Sequence, residues 1–364
     1  MQFKSLVRYP IDIRRARRLL TAVRTPDDAY SQRPIALDLV TPQMLVDCGR
    51  HLVCLAHYSQ AAGSQFLVRC SPLMLASIAR KIHGREMLAE PYMRWLSTTQ
   101  SLPENALVLR DYDSDVLGVR MLIGRDQVDG APTMPYPMHP ATLSFADRPS
   151  LLQLRRSEDR GGIFFAGNQK PKYGEDKMTR DFGLLSRLRI LRTIRQRFAD
   201  RVVDSLSGRV DCHSIVLSDS RVESIPASRW LSSLARAQFF VCCPGASQPT
   251  CHNLIEAMSV GTIPLIEYGS RVTPPLQDGV HAITFQGEQG LVRAIERIDQ
   301  LSTTQIETMS GHVASFYDRH LCGRTFLAGL RDGAIDCPLG KISMPFHDRN
   351  LFEFSPPRSP QIAA

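Results

Sequence analysis

The side chains best suited to chemistry cluster between Ala237 and Gly269, in the stretch AQFFVCCPGASQPTCHNLIEAMSVGTIPLIEYG. Pro244-Gly245 closes a short apolar run, a polar loop follows through Thr250, and His252, Asn253 and Glu256 come next. If a helix begins there, its first turn offers unpaired N–H groups and positive potential, which suits a diphosphate. Glu256 then sits about one turn inside, where a carboxylate can accept hydrogen bonds from the two hydroxyls of a ribose.

Those residues need elements to hold them. Phe239–Cys243 is short and β-rich, which predicts a buried strand. Leu254, Ile255, Ala257 and Met258 supply the apolar part of a short helix, Gly261 its C-terminal stop, and Ile263-Pro264-Leu265-Ile266 the next strand. Strand, loop, helix, strand is one unit of a parallel α/β sheet. The loop and the helix start fall at the carboxyl edge of the first strand, where open sheets bind ligands.

Glu256-Ala257-Met258, Gly261 and Pro264, preceded by a Pro-containing loop, resemble the donor-site motif of GT-B glycosyltransferases. The Gly-x-Ile-Pro-Leu-Ile ending is similar to the exostosin-type branch. The resemblance implies that Glu256 holds the nucleotide ribose and that His252 and Asn253 face the diphosphate. On that reading Glu256 is replaceable with little loss of stability. The earlier glutamate of the retaining branch has no counterpart, since that position is Gln248. Phe164-Phe165-Ala166-Gly167-Asn168 resembles the start of the second domain of exostosin-type enzymes, where a glycine-containing loop and a downstream arginine approach the diphosphate. The residues implied are Gly167, Asn168, Lys172, Arg180 and Arg187, with Arg187 matching the family's spacing best because Ile190 and Leu191 follow it. Asp219, in Ser218-Asp219-Ser220, would lie near the nucleotide base, and Pro244 and Gly245 beside the donor.

Composition fits that scheme. At 364 residues, 43% apolar and 22% charged, the chain is an ordinary globular sequence with room for two domains. No apolar run approaches the roughly 18 residues of a membrane helix, and no apolar segment of a secretory signal is visible. The nine cysteines form no C-x-x-C pair, and several sit in apolar runs, as reduced thiols of a cytoplasmic protein would. The net charge of +8 suits phosphorylated substrates, while no nucleic-acid motif accompanies it. Arg14, Arg15, Arg17 and Arg18, on a helix expected over Ile11–Val23, offer peripheral contact with anionic lipid or a lipid-linked acceptor, or else a solvated basic face.

The fold expected is α/β, two Rossmann-like domains facing a cleft in the GT-B manner. Residues 1–150 would be the acceptor-side domain, with strands at Ile35–Val40, His51–Ala56, Gln65–Val68, Ala106–Leu109 and Val119–Ile123. Its helix would be Pro72–His83, capped by Ser71. Proline-rich residues 129–150 would lead into the domain crossing. Residues 151–335 would bind the nucleotide-sugar. Their strands are expected at Gly162–Ala166, Ser214–Leu217 and Ala282–Phe285, and their helices at Asp181–Phe198, Ala227–Arg236, Leu291–Leu301 and Phe316–Leu330. Residues 336–364 would form a tail that returns to the first domain or stays disordered.

The reaction implied is displacement of a nucleotide at an anomeric carbon by an acceptor hydroxyl. An inverting enzyme needs a base, for which His57 and Asp38 stand as candidates. No metal cofactor is expected, because the donor loop has one carboxylate, whereas His252 and the helix start can stabilise the departing diphosphate. Asp111-Tyr112-Asp113, a D-x-D after a strand, supports the rival metal-dependent GT-A architecture. The same fold and donor site would also serve a sugar-nucleotide epimerase, or a non-catalytic protein that binds glycan or nucleotide.

Overall fold

In the computed structural model the described residues are 3–21, 25–26, 29–114, 118–124, 130–205, 213–246 and 248–344, with side chains from Arg8 onward. Val23, Asp129, Cys212, Ser247 and the expected tail beyond Met344 lie outside them. The described chain forms two compact units. One runs to Pro140 and resumes from Gly323; the other runs from Ala141 to Cys322. The crossing is thus at 140, earlier than the expected 150, and the return begins at 323 rather than 336.

The first unit opens with α1 (Phe3–Leu20), β1 (Gln32–Leu39), α2 (Arg50–Ala61), β2 (Ser64–Cys70) and α3 (Pro72–Arg80). It continues through α4 (Ile82–Ala89), β3 (Met93–Leu96), β4 (Leu107–Arg110) and β5 (Val119–Ile123). Ser71 caps α3 as expected, accepting from the Met74 amide at 3.2 Å. The expected Pro72–His83 helix is two helices, since Lys81 takes extended backbone and starts α4 in a new direction. His51–Ala56 is helix, not strand. From His51 to Ser59 every residue of α2 except His57 is buried, so its apolar run carries no period that separates a buried helix from a strand.

After α5 (Pro140–Leu143) come α6 (Arg148–Arg155), β6 (Gly161–Gly167), α7 (Lys177–Phe182), α8 (Arg187–Arg197), β7 (Val202–Val203) and β8 (Ile215–Asp219). Then follow α9 (Ala227–Ala235), β9 (Ala237–Cys242), α10 (His252–Ser259), β10 (Ile263–Ile266), β11 (Ile283–Thr284), α11 (Gly287–Ile298) and α12 (Thr303–Phe316). The helix expected over Asp181–Phe198 is interrupted. Gly183, in the left-handed region with φ +67°, ends α7, and α8 starts afresh at Arg187. The helix expected over Phe316–Leu330 is likewise broken. A π-helical turn at Tyr317–Leu321 closes the second unit, and α13 (Gly323–Arg331) and β12 (Lys341–Met344) belong to the first.

Two six-stranded sheets result, with every described pairing between strands parallel. The first has the order β3-β2-β1-β4-β5-β12, a doubly wound arrangement that reverses direction between β1 and β4. The second, β7-β8-β6-β9-β10-β11, reverses between β6 and β9, its edge filled by the two-residue β7. Central strands read as continuous apolar runs because helices cover parallel sheets on both faces: Phe165, Phe239, Phe240 and Leu265 are all within 1% of full burial. The returning segment is fitted closely. A side chain at Gly323 would strike the Tyr58 ring at 2.2 Å, and Arg331 donates to the Ala62 carbonyl and Ser64 hydroxyl at 2.7 Å. No helix among the described residues is long and apolar enough to cross a membrane.

Candidate functional site

The reversal between β6 and β9 leaves a crevice at their carboxyl ends, and one side chain spans it. Arg187, the first residue of α8, donates Nη1 to the Asn168 carbonyl after β6 at 2.9 Å. Its Nη2 reaches the Pro244 carbonyl after β9 at 3.2 Å. Its guanidinium lies 3.9 Å over the Tyr173 ring, and the residue is 5% exposed. Nε is buried with no hydrogen-bond partner, and no described carboxylate pairs with the charge. A cation at a helix N-terminus also opposes the helix dipole. Among the described residues, Arg187 is therefore a buried positive charge offset by carbonyl dipoles and the faces of Tyr173 and Phe165.

The loop after β9 leads into α10. It is tight: a Cβ on Gly245 would meet the Gln248 carbonyl at 2.8 Å. α10 starts at His252, with Cys251 as its cap and no side-chain hydrogen bond closing its first turn. Its other end is well finished. The amide of Gly261, at φ +76°, donates to Met258 and that of Thr262 to Ala257, a Schellman closure. Arg155 donates to the Ser259 carbonyl at 2.9 Å and Arg160 to that of Val260 at 2.6 Å, so two cations face the negative end of the helix. Burial draws Arg160 down to about 10.

Glu256 is 0% exposed. Its Oε2 receives the Trp230 indole N–H at 2.7 Å and lies 3.0 Å from His252 Nδ1. The helix position matches the sequence expectation; the enclosure does not, because the carboxylate is covered by groups of α9 and of its own first turn. Trp230 and Tyr173 had no signal in the sequence. Trp230 falls on the apolar stripe of an amphipathic helix, which predicts burial without naming a partner. Asn253 is 9% exposed beside Cys251. Asn168 uses its side-chain oxygen on the Lys170 amide, and Gly167 ends β6 with the Phe165 ring 2.9 Å from where a Cβ would sit.

The remaining expected donor-side residues are more open. The Lys172 ammonium stands 5.1 Å from the centre of the Tyr173 ring, the ring that Arg187 also lies over. Arg180 pairs with Asp181 and its side chain is 73% exposed, a solvated ion pair. Asp219 ends β8, and hydrogen bonds from Arg221 hold its carboxyl below the ordinary range. A separate cavity of about 390 Å³, lined by Val280, Arg297, Thr308 and His312 among others, contains none of the expected site residues.

In the first unit the two candidate bases part company. His57 lies in α2, bonded through Nδ1 to the Tyr92 hydroxyl at 3.1 Å. Tyr92 precedes β3, and its carbonyl accepts from Phe66 near the start of β2, so His57 sits toward the amino edge of the sheet. This corrects its placement at a strand end; burial also pulls its pKa below the ordinary value. Asp38 is at the carboxyl edge, 3% exposed. Burial raises its pKa, but hydrogen bonds from Arg69 and Tyr112 and the charges of Arg69 and Arg110 outweigh it, leaving a carboxylate held below the usual range. A carboxylate so held is a weak base. The D-x-D pair is divided: both Asp111 oxygens accept from the Val40 and Thr41 amides at 2.8 Å, while the Asp113 side chain is 86% exposed.

No family model matches the chain, and no curated protein does. A functional reading therefore rests on its residues and their geometry.

Proposed function

We propose that the chain is a glycosyltransferase of the GT-B type, moving a sugar from a nucleotide-sugar to a glycan or glycoconjugate acceptor. The donor would bind in the second unit at the β6/β9 crevice, the acceptor in the first. The observation that supports this most is Arg187: a buried cation with no counter-ion among the described residues, at the reversal point of a doubly wound sheet, against the loop that leads into a helix start with no side-chain cap. Such a point attracts an anionic group, and a nucleoside diphosphate is the anion this crevice geometry accommodates elsewhere. In the reaction the acceptor oxygen bonds to the anomeric carbon as the bond to the diphosphate breaks. Negative charge grows on the leaving group, where Arg187, Lys172, His252 and the first amides of α10 can stabilise it. The acceptor proton passes to a base or to water. His57, near the amino edge, and Asp38, held by cations, are not carried forward as that base. The ribose role of Glu256 requires His252 to turn away from it.

The test is a thermal-shift series with nucleoside mono- and diphosphates and nucleotide-sugars, since stabilisation follows ligand concentration over Kd. Diphosphates should stabilise the protein, and Arg187→Met should abolish the effect. Transfer from the stabilising donor should persist in EDTA. Absence of stabilisation by every nucleotide overturns the reading, and conversion of the donor sugar with no acceptor present moves it to the epimerase class.

A further inference from the structure

The turn after β6 is built onto the helix that carries Arg187. The Asn168 side chain accepts from the Lys170 amide at 2.9 Å, and the amides of Tyr173 and Gly174 donate to the Lys170 and Pro171 carbonyls at 3.0 and 2.8 Å. A short 3-10 turn over Pro171–Tyr173 results. Gly174 seats it. A Cβ there would stand 2.9 Å from Leu188 Cδ1 and 3.3 Å from its Cβ, so a side chain would push the turn off α8. Leu188 is the chain neighbour of Arg187, and the Asn168 carbonyl accepts from Arg187 itself. The turn and the start of α8 are thus packed as one piece, with the Tyr173 ring against the guanidinium.

That ring serves two cations. The Arg187 guanidinium lies 3.9 Å from its centre, closer than the 5.9 Å to the Phe165 ring, and the Lys172 ammonium lies 5.1 Å from it. The two charges are therefore no farther apart than the sum of their distances to one ring centre. Among the described residues neither enters an ion pair, and Glu175 and Asp176, which follow the turn, pair with neither. The negative face of the ring offsets part of the repulsion between them. It also sets direction. A ring on the face of a guanidinium leaves the edge free, and the edge is where two N–H groups bind two oxygens. Arg187 spends one N–H of each terminal nitrogen on the Asn168 and Pro244 carbonyls. Nε–H and a second N–H on each terminal nitrogen stay uncommitted.

We propose that Tyr173 is a positioning residue, holding Arg187 and Lys172 about one ring as a paired receptor for two linked phosphates. Two cations so held select a diphosphate over a single phosphate, because only the diphosphate brings an anionic group to each. The nucleoside part of the ligand rests on the glycosyl-transfer reading; the preference for linked phosphates rests on the turn.

The full-length chain is titrated by calorimetry with phosphate, pyrophosphate, and the mono- and diphosphates of uridine, guanosine and adenosine. Pyrophosphate should bind at least about tenfold more tightly than phosphate, the value of one charge-assisted hydrogen bond. The nucleoside that binds should show a similar ratio between its two forms. Tyr173→Leu should weaken pyrophosphate binding about tenfold, the scale of a desolvated cation–π contact, while Tyr173→Phe, which keeps the ring, should stay within about twofold of the unmodified protein. Lys172→Gln, at an exposed position, should lower the ratio of pyrophosphate to phosphate affinity without moving the thermal midpoint. A tyrosine that only supports the fold would move the midpoint and leave that ratio alone. An unchanged ratio in Lys172→Gln overturns the proposal, as does full affinity in Tyr173→Leu. Tighter binding in Tyr173→Leu overturns it too, by making the ring a cover over Arg187 and not its support. If nucleoside diphosphates bind equally well to Tyr173→Leu, the transferase reading stands without this role. If pyrophosphate binds through Tyr173 and Lys172 and no nucleotide binds, the positioning role stands and the transferase reading falls. If neither binds, both fall.

Discussion

Glu256 is held in place by its own protein before any ligand could reach it. Its carboxylate takes the Trp230 indole N–H at 2.7 Å and lies 3.0 Å from His252. Removing it takes the acceptor from the half-buried Trp230 indole, and a donor left unsatisfied costs up to about 1–3 kcal/mol. Glu256→Ala should therefore lower the urea midpoint, against the expectation of little loss, while Glu256→Gln, which keeps an acceptor, should lose less. Trp230→Phe combined with Glu256→Ala should cost less than the sum of the two single changes, because they break the same bond. Strict additivity in that cycle would show the indole contact to be energetically idle. The position of Glu256 was legible because a polar loop before an apolar helix fixes where the first turn falls. Its partner was not, because Trp230 comes from a different helix and periodicity names a face, never a neighbour. Arg187 was legible as a member of an arginine-rich stretch, but its singularity was not. Only the break at Gly183 makes it the first residue of a helix and turns it into the crevice.

Elements were read well where chemistry marks their ends and poorly where it does not. Ser71, Gly261 and the strand at Val119–Ile123 fell where expected, because a cap, a left-handed glycine and a β-rich run are local signals. α2 reads as a strand because burial of nearly all of His51–Ser59 removes the period. Glycines sharpen the distinction between local and tertiary demands. Gly261 has φ +76°, and a Cβ would sit 2.9 Å from the Ser310 hydroxyl. Gly311, inside α12, is exposed and a Cβ there meets nothing within 4 Å. Gly261→Ala should destabilise by about 1–2 kcal/mol, the cost of a left-handed L-residue. Gly311→Ala should stabilise by up to about 1 kcal/mol through helix propensity. Opposite shifts in thermal midpoint are expected, and two shifts of the same sign would contradict the closure assigned to the end of α10.

At the scale of the whole molecule, the chain length and the alternation of strands with helices pointed to two α/β units, and two parallel sheets are present. The boundary was misplaced because the proline-rich run is not a linker: Met134, Tyr136 and Met138 are buried, and the Met134 amide donates to Ser343 on the returning β12. That pairing joins residues far apart in the chain, which no local pattern could reveal. Each unit holds one of the two tryptophans, Trp95 on β3 and Trp230 on α9, so each can be followed separately. This allows a linkage test of Asp38 and the cations that face it. Asp38 has its pKa in the folded state below the ordinary 3.8, because Arg69, Tyr112 and Arg110 outweigh its burial. A depressed carboxyl pKa stabilises the fold at pH above the unfolded value, and that contribution is lost as pH falls through the folded one. Asp38→Asn removes it at every pH. In a Trp230→Phe background, the urea midpoint reported by Trp95 should therefore be lower for Asp38→Asn at neutral pH. The gap should stay constant down to about pH 4 and narrow below it, as wild-type Asp38 takes up its proton. A gap that is unchanged well below pH 3.8 would mean that the carboxylate's charge is not what holds Arg69 and Arg110 beside it, and that Asp38 contributes through shape and hydrogen bonding alone.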